Sequence, residues 1–436
     1  MTRLFFRLRY IIRCSLTKNN EYRGDRMNAL EILEQRGFVQ QCSDRRGLID
    51  LFSESQVTYY VGFDPTADSF HVGSLTPIMA MAHLQRLGHR PIAIIGGGTG
   101  LIGDPSGKTE LRKLLSREAI ASNMAKLSLQ FNRYLTLDGE KGLLVDNADW
   151  IAKLNYIEFL RDIGRHFKVN EMIKNEGYKK RLEQEQGLSF IEFNYQLLQA
   201  YDFLVLFDGQ NCMLQMGGDD QWGNILAGVE LTKKMRKQTV FALTFPLITT
   251  ARGQKMGKTE AGAIWLDDSK TSPYDFYQYW INCDDRDVVR FLMLFTFLPS
   301  EEIEKLGQLQ GADIRKAKEV LAFEATKLCH GEEEAQKAKK TARAAFSNEA
   351  GDSVGLPTTI VRKEKVVAGI SVVDLLVEIG LAPSKGAARR LIEQGGAYIN
   401  DEKVTAIDAM ADEGSFPNGV CVIRHGKKQH HRVKLE

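Results

Sequence analysis

Short apolar runs alternate with helix-spaced ones from about Met27 to Thr250. Val57 to Phe63 reads as a strand, Leu75 to Leu87 as a helix, and Pro91 to Ile95 as a buried strand. Leu143 to Val145 reads as another strand, and Asn211 to Met216 as a further one before a helix from about Asp220 to Met235. Alternating strand and helix predicts an α/β fold, with a mostly parallel sheet covered by helices on both faces. Such sheets bind ligands at the carboxyl ends of their strands, near the point where the strand order reverses. Most chemistry-bearing motifs of this chain follow a predicted strand.

The pattern then changes. From roughly Ser272 to Phe346 the chain is rich in Leu, Ala, Glu and Lys, as in Ile314-Arg315-Lys316-Ala317-Lys318-Glu319-Val320-Leu321-Ala322-Phe323, and reads as α-helical. Gly351, Gly355 and Pro357 mark residues 347–365 as a linker. Residues 366–436 read as a small α+β unit in which Ser384 caps a helix presenting Lys385, Arg389 and Arg390, before Gly395 and Gly396 turn the chain into a strand. Arg424, His425, Lys427, Lys428 and His430-His431-Arg432 add positive charge, so this unit is a candidate RNA-binding domain. The expected divisions are an extension (1–26), a catalytic domain (27–250), a loop and helical domain (251–346), the linker and the small domain.

At 436 residues, about two or three domains are expected, each with its own core. A net charge of +2 gives no global case for nucleic acid, so any RNA contact is a local patch. The six cysteines are scattered without a Cys-x-x-Cys pair, which reads as reduced thiols in a cytoplasmic setting and argues against zinc. No apolar run is long enough to span a bilayer. Arg3, Arg7, Arg9, Arg13 and Lys18 all precede the first acid, Glu21. That start is either an organellar transit peptide, placing the protein in an organellar matrix, or a tail ahead of a true start at Met27.

Two motifs carry most of the chemistry. His71-Val72-Gly73-Ser74 opens a helix, where backbone N–H groups and the helix dipole favour an anion. Lys255-Met256-Gly257-Lys258-Thr259 reads as a loop that brackets a glycine with two ammonium groups, suited to charge building on a leaving polyphosphate. Together they point to attack on a nucleotide α-phosphate with pyrophosphate leaving. Gly98-Thr99-Gly100-Leu101-Ile102-Gly103 imitates a dinucleotide fingerprint, but Asp104-Pro105 interrupts the helix that should follow. Gly107-Lys108-Thr109 imitates the end of a phosphate loop, yet Ile102 stands where its first glycine belongs.

The segments Gly62-Phe63-Asp64-Pro65-Thr66 through Leu75, Gly103 through Lys108, Tyr195 through Asp202 and Gly218 through Asn224, with the Lys255 to Thr259 segment, closely resemble bacterial-type tyrosyl-tRNA synthetases of class I. The resemblance runs from about Met27 to Glu436 and ends in a tail similar to the RNA-binding module named for ribosomal protein S-four. It implies a Rossmann-like catalytic domain, a homodimer, and the substrates tyrosine, ATP and tRNA(Tyr), with magnesium accompanying the ATP phosphates and no protein-held metal. It also implies residue roles. Tyr60 and Asp202 would reach the phenol; Asp104, Tyr195 and Gln199 the α-ammonium group; Asp220 and Gln221 the ribose and the reacting carboxyl region. Thr66, His71, Lys255 and Lys258 would serve the leaving phosphates, and Gly62, Asp64, Gly73, Ser74 and Gly218 would complete the ATP site.

Two positions depart from the family pattern. Ser74 stands where His is usual, and Val61 where many relatives carry Cys, so ribose contacts are where this chain differs. Two rival functions follow from parts of the pattern. One is a nucleotidyltransferase acting on another small molecule, which the tail and the Tyr60/Asp202 pair disfavour. The other is a silent RNA-binding protein, which His71, Asp104, Lys255 and Lys258 disfavour.

Overall fold

The computed structural model describes residues 27–104, 115–174, 176–183, 188–259, 262–347, 356–367, 369–426 and 429–436. The extension 1–26, the Gly107-Lys108-Thr109 imitation, residues 348–355 of the proposed linker, and Lys427 and Lys428 lie outside them.

Six strands form the main sheet: β1 (Gln41–Cys42), β2 (Thr58–Phe63), β3 (Arg90–Ile95), β4 (Leu143–Asp146), β5 (Cys212–Gly218) and β6 (Phe241–Phe245). Their order is β1-β6-β5-β2-β3-β4, parallel except for the short edge strand β1. From β2 the chain builds outward through β3 and β4, then returns to add β5 and β6 on the other side. The order therefore reverses between β2 and β5. Both faces are covered, which is why β3 (RPIAII) and β6 (FALTF) are buried along nearly their whole length rather than at alternate positions.

Four helices pack around that reversal point. The Leu75–Arg86 helix is buried over most of its length and follows a 3₁₀ turn, Val72–Ser74. Arg117–Phe131 starts at a Ser116 cap. Phe190–Gln210 begins with a Ser189/Glu192 capping box and ends where Asn211 takes φ 51°, the left-handed conformation that asparagine tolerates. Trp222–Arg236 packs closely on it. An added Cβ at Gly228 would come within 3.0 Å of the Phe203 ring, so the glycine sets how near the two helices lie.

Helices Pro273–Ile281, Val288–Phe295, Ser300–Gly307, Ile314–His330 and Glu332–Ser347 make the helical region expected from the sequence. It shares one hydrophobic core with the sheet domain, through residues such as Trp280, Phe291 and Leu321. Arg36 fastens the N-terminal helix to it. Its guanidinium donates to the carbonyls of Met293 and Thr296, at the end of the Val288–Phe295 helix, and of Leu298 just beyond it.

The small C-terminal unit has its own core, including Val373, Leu376, Ala388 and Ile423. Its five-stranded sheet contains Thr358–Val361, hydrogen-bonded in parallel to Gln429–Leu435. That strand falls inside 347–365, the stretch read as a linker. Gly351, Gly355 and Pro357 dominated that reading, while Thr358, Thr359, Ile360 and Val361, all β-branched, carry the strand propensity that prevails. A second difference concerns Lys258-Thr259, read as loop. Its backbone pairs antiparallel with Gly262-Ala263.

Candidate active site

A cavity of about 450 Å³ opens at the carboxyl ends of β2 and β5, where the strand order reverses. From β2 and the segment after it, Tyr60, Gly62, Asp64, Thr66, His71 and Ser74 line it. Asp104 joins from beyond β3, and Gly218 and Gln221 from the end of β5. Tyr195, Gln199 and Asp202 project from the Phe190–Gln210 helix, spaced so that all three share one face. Gly73, Asp220 and Lys255 do not line the cavity, and the Lys258 side chain lies outside the described set.

One end of the cavity holds a buried acid. Asp202 is 4% exposed and accepts hydrogen bonds from Asn147 Nδ2 at 3.0 Å and Trp150 Nε1 at 2.7 Å. Burial pushes its pKa up to about 7, against the pull of those two donors. Tyr60, also at this end, buries a hydroxyl with no hydrogen-bond partner among the described residues, and the nearby Asp202 charge helps hold its proton on. A buried hydroxyl without a partner is costly unless a ligand supplies one.

The middle of the cavity is polar and acidic. Gln221 Nε2 donates to Asp104 Oδ2 at 2.8 Å, and Asp64 accepts from Thr99 Oγ1 at 3.2 Å and more loosely from Tyr195 Oη at 3.4 Å. The carbonyl oxygens of Gln199 and Gln215 are buried without partners among the described residues. Two carboxylates and two unpartnered acceptors suit a cationic group. Asp220, outside the cavity wall, has its pKa raised by burial and by the neighbouring Asp104.

At the mouth, His71 Nδ1 accepts from the Gly73 N–H at 2.9 Å, which puts the ring proton on Nε2. Lys255 is exposed just outside, while Met256 beside it is buried in the main core. The dinucleotide imitation is already engaged elsewhere. Gly97 and Gly98 donate their N–H groups to the Asp146 and Asn147 side chains rather than presenting them to a phosphate.

Sequence reasoning missed Asn147, Trp150, Thr99, Gln215 and Trp265. Asn147 was findable, because it is the first residue past the end of β4 and that is where such sheets place ligand contacts. Trp265 carried no local signal. It reaches the cavity because its backbone bridges to His71, almost two hundred residues earlier in the chain.

In the small unit, Ser384 caps the Lys385–Glu393 helix as expected. Arg389 and Arg390 are exposed, but Lys385 pairs with Asp374 at 2.7 Å, which offsets part of its charge. Arg424 stacks over the Tyr398 ring at 4.1 Å.

The family described as tRNA synthetases class I (W and Y) matches residues 53–347, two thirds of the chain. The chain belongs to that family. A second family, the tyrosine–tRNA ligase SYY-like C-terminal domain, matches residues 352–433 of the synthetase. A tyrosine–tRNA ligase of Desulfosudis oleivorans is 52% identical over 427 residues, covering 93% of this chain and 99% of the relative. One from Acetivibrio thermocellus is 51% identical, covering 94% of this chain and 99% of its own. Among solved structures, a C-terminally truncated mitochondrial tyrosyl-tRNA synthetase of Aspergillus nidulans matches with a TM-score of 0.67 and 34% identity, covering 74% of this chain and 95% of that one.

The raised pKa of Asp202 makes the stability of the synthetase depend on pH. An aspartate whose folded pKa lies near 7 supports folding fully below its unfolded pKa, and that support is lost as pH rises through about 7. Relative to an Asp202→Asn variant, the parent should therefore lose stability between pH 4 and 8, by up to about 4 kcal/mol for a shift of this size. Denaturant unfolding of both proteins across that range measures it. Parallel pH profiles would contradict an ionisable, buried Asp202.

Proposed function

We propose that the synthetase activates L-tyrosine with ATP and transfers it to tRNA(Tyr), as a tyrosine–tRNA ligase. The observation that carries this is the pairing of an unpartnered Tyr60 hydroxyl with the Asp202 carboxylate at the closed end of the cavity. A tyrosine phenol entering there donates to Asp202 and accepts from Tyr60. An indole or a plain phenyl ring leaves one or both unmet. Similarity over nearly the whole chain to tyrosine–tRNA ligases supports the same reading.

With the phenol so fixed, the α-ammonium group of tyrosine meets Asp104, Tyr195 and Gln199. The tyrosine carboxylate then faces the ATP side, with Asp220 and Gln221 serving the ribose and the reacting carboxyl region and Gly62, Asp64, Ser74 and Gly218 lining the nucleotide end of the cavity. A carboxylate oxygen attacks the α-phosphorus, the bond from that phosphorus to the bridging oxygen breaks, and pyrophosphate leaves. No general base is required, because the nucleophile is already ionised. Thr66 and the Nε2 proton of His71 donate to the departing phosphates, and Lys255 and Lys258 neutralise charge as it builds there. Magnesium travels with the ATP phosphates as counter-charge. In the second step a hydroxyl of the tRNA terminal ribose attacks the tyrosyl carbonyl carbon, and adenylate leaves.

Position 74 supplies a hydroxyl, and Val61 presents only methyl groups to the cavity. Of the two positions, only Ser74 can hydrogen-bond a ribose hydroxyl.

We assign the enzyme to the cytoplasm as a homodimer. Cys42, Cys212, Cys283, Cys329 and Cys421 are free thiols, in keeping with a reducing compartment, and no helix among the described residues is long and apolar enough to cross a membrane. The dimer is supported by large apolar side chains left in solvent between β4 and the start of the Phe190–Gln210 helix. Tyr156, Ile157, Val169 and Phe190 are 56%, 69%, 63% and 68% exposed. Large apolar side chains left exposed are candidate contacts for a second copy of the chain.

Three experiments follow. In ATP–pyrophosphate exchange with each amino acid in turn, tyrosine should be the strong substrate. Tyr60→Phe should lower kcat/KM for tyrosine by about 5- to 100-fold, as loss of one buried hydrogen-bonding partner implies, while phenylalanine is little affected. Equal losses for both amino acids would remove Tyr60 from the phenol site. Ending the chain after Ser347 should preserve exchange but weaken tRNA charging, with the lost affinity sensitive to salt. Loss of exchange in a folded truncation would mean that the tail supports the catalytic domain. Phe190→Asp should shift the protein toward monomer in sedimentation equilibrium, and an unchanged mass would move the interface elsewhere.

A further inference from the structure

The histidine and lysine signatures meet through two glycines. An ideal Cβ at Gly257 would sit 2.7 Å from the Gly73 backbone nitrogen and 3.2 Å from His71 Nδ1. From the other side, a Cβ at Gly73 would sit 2.6 Å from His71 Cε1 and 2.9 Å from the Met256 carbonyl oxygen. Ordinary contact begins near 3.4 Å, and backbone atoms cannot swing aside as a side-chain tip can. Gly257 also holds φ at +78°, a conformation that L side chains adopt only with strain.

Other bonds hold the segment from behind. The Met256 N–H donates to Ile248 at 3.1 Å, Gly257 accepts from the Ile264 N–H at 3.0 Å, and the Val72 N–H donates to the Ile264 carbonyl at 2.9 Å. The Tyr279 hydroxyl accepts from the Gly257 N–H at 3.3 Å. With Met256 buried in the core, the segment has little room to retreat from the helix start. Lys255 and Lys258 flank this seam in sequence.

We propose that Gly257 is a positioning residue. Its missing side chain lets the lysine segment dock backbone to backbone on Gly73, and that contact fixes the distance between the two lysines and the His71 end of the cavity. The inference rests on the assignment of Lys255 and Lys258 to the leaving pyrophosphate. A methyl at 257 pushes the segment outward, from 2.7 Å toward ordinary contact distance. Charge-stabilising groups displaced by about 1 Å can cost about 10²-fold in rate. Tyrosine, bound at the far end of the cavity, is unaffected.

The same segment contains its own control. Gly253 has the same φ of +78°, but a Cβ there meets nothing within 4 Å. Gly253→Ala thus adds backbone strain alone, while Gly257→Ala adds the strain and closes the seam to docking. The test is kcat and KM in ATP–pyrophosphate exchange, with tyrosine affinity measured by equilibrium binding, for both variants alongside Lys255→Ala and Lys258→Ala. Gly257→Ala should lose about 10- to 100-fold in kcat with tyrosine affinity preserved, Gly253→Ala should stay close to the parent, and the lysine variants should lose kcat. If the lysine variants lose kcat but Gly257→Ala matches Gly253→Ala, the seam does not position the lysines and the proposal falls. If the lysine variants keep their kcat, the leaving-group assignment fails instead and takes the proposal with it. If Gly257→Ala loses tyrosine binding together with turnover, the seam is a packing requirement of the whole fold and the positioning role is overturned.

Discussion

The parallel pairing of β2 with β5 is the constraint on which the site depends. Thr58 to Tyr60 lie beside Cys212 to Gln215 although more than 150 residues of chain separate them. Each strand ends by delivering a turn to the same edge of the sheet. β2 delivers Asp64, Thr66 and the His71 turn, and β5 delivers Gly218 and Gln221. Between them a crevice is left because the crossovers leave in opposite directions. Without that pairing, the residues of the cavity would be scattered motifs on separate loops.

Strand pairing gives the crevice its place, and burial gives its inner end a chemical bias. Asp202 gives up solvent for two donors, Asn147 and Trp150. That is too little to hold its pKa in the usual carboxylate range, so burial prevails and the value rises to about 7. The Tyr60 hydroxyl, unpartnered in the same region, is a second unfavourable term. A fold optimised for stability alone would place apolar groups at both positions. Here destabilised polar groups face the cavity, so a ligand that satisfies both recovers in binding what folding gave up. The same desolvation that weakens the fold sharpens the choice of side chain at that end.

Much of this was legible in the sequence, and what was not has physical causes. β2 to β5 were placed to within a few residues, because strands in a sheet covered on both faces are continuous apolar runs. The shared face of Tyr195, Gln199 and Asp202 could have been read from their spacing alone. Asn147 and Trp150 were missed because their role is to orient Asp202, and a residue acting through another leaves no motif of its own. Trp265 depends on a backbone bridge to His71 that no local window contains. The strand Thr358–Val361 was taken for linker because its partner, Gln429–Leu435, lies at the opposite end of its unit and in parallel register.

Recognition and catalysis are held by different means in this molecule. At the inner end the side chains are buried, and Asp202 is fixed by hydrogen bonds from Asn147 and Trp150, so its geometry is set once the core forms. At the mouth, Lys255 is exposed and a long ammonium side chain has many rotamers available. Such a group is placed only as well as its backbone is. The backbone of this segment is anchored by Met256 in the core and abuts the start of the Leu75–Arg86 helix through Gly257 and Gly73. With the proposed roles, charge stabilisation at the leaving group depends on main-chain contact, whereas substrate choice depends on side-chain burial. A substitution at the mouth can slow the chemistry while leaving binding intact. At the inner end the two are inseparable, because the groups that choose the side chain also set where its carboxylate lies.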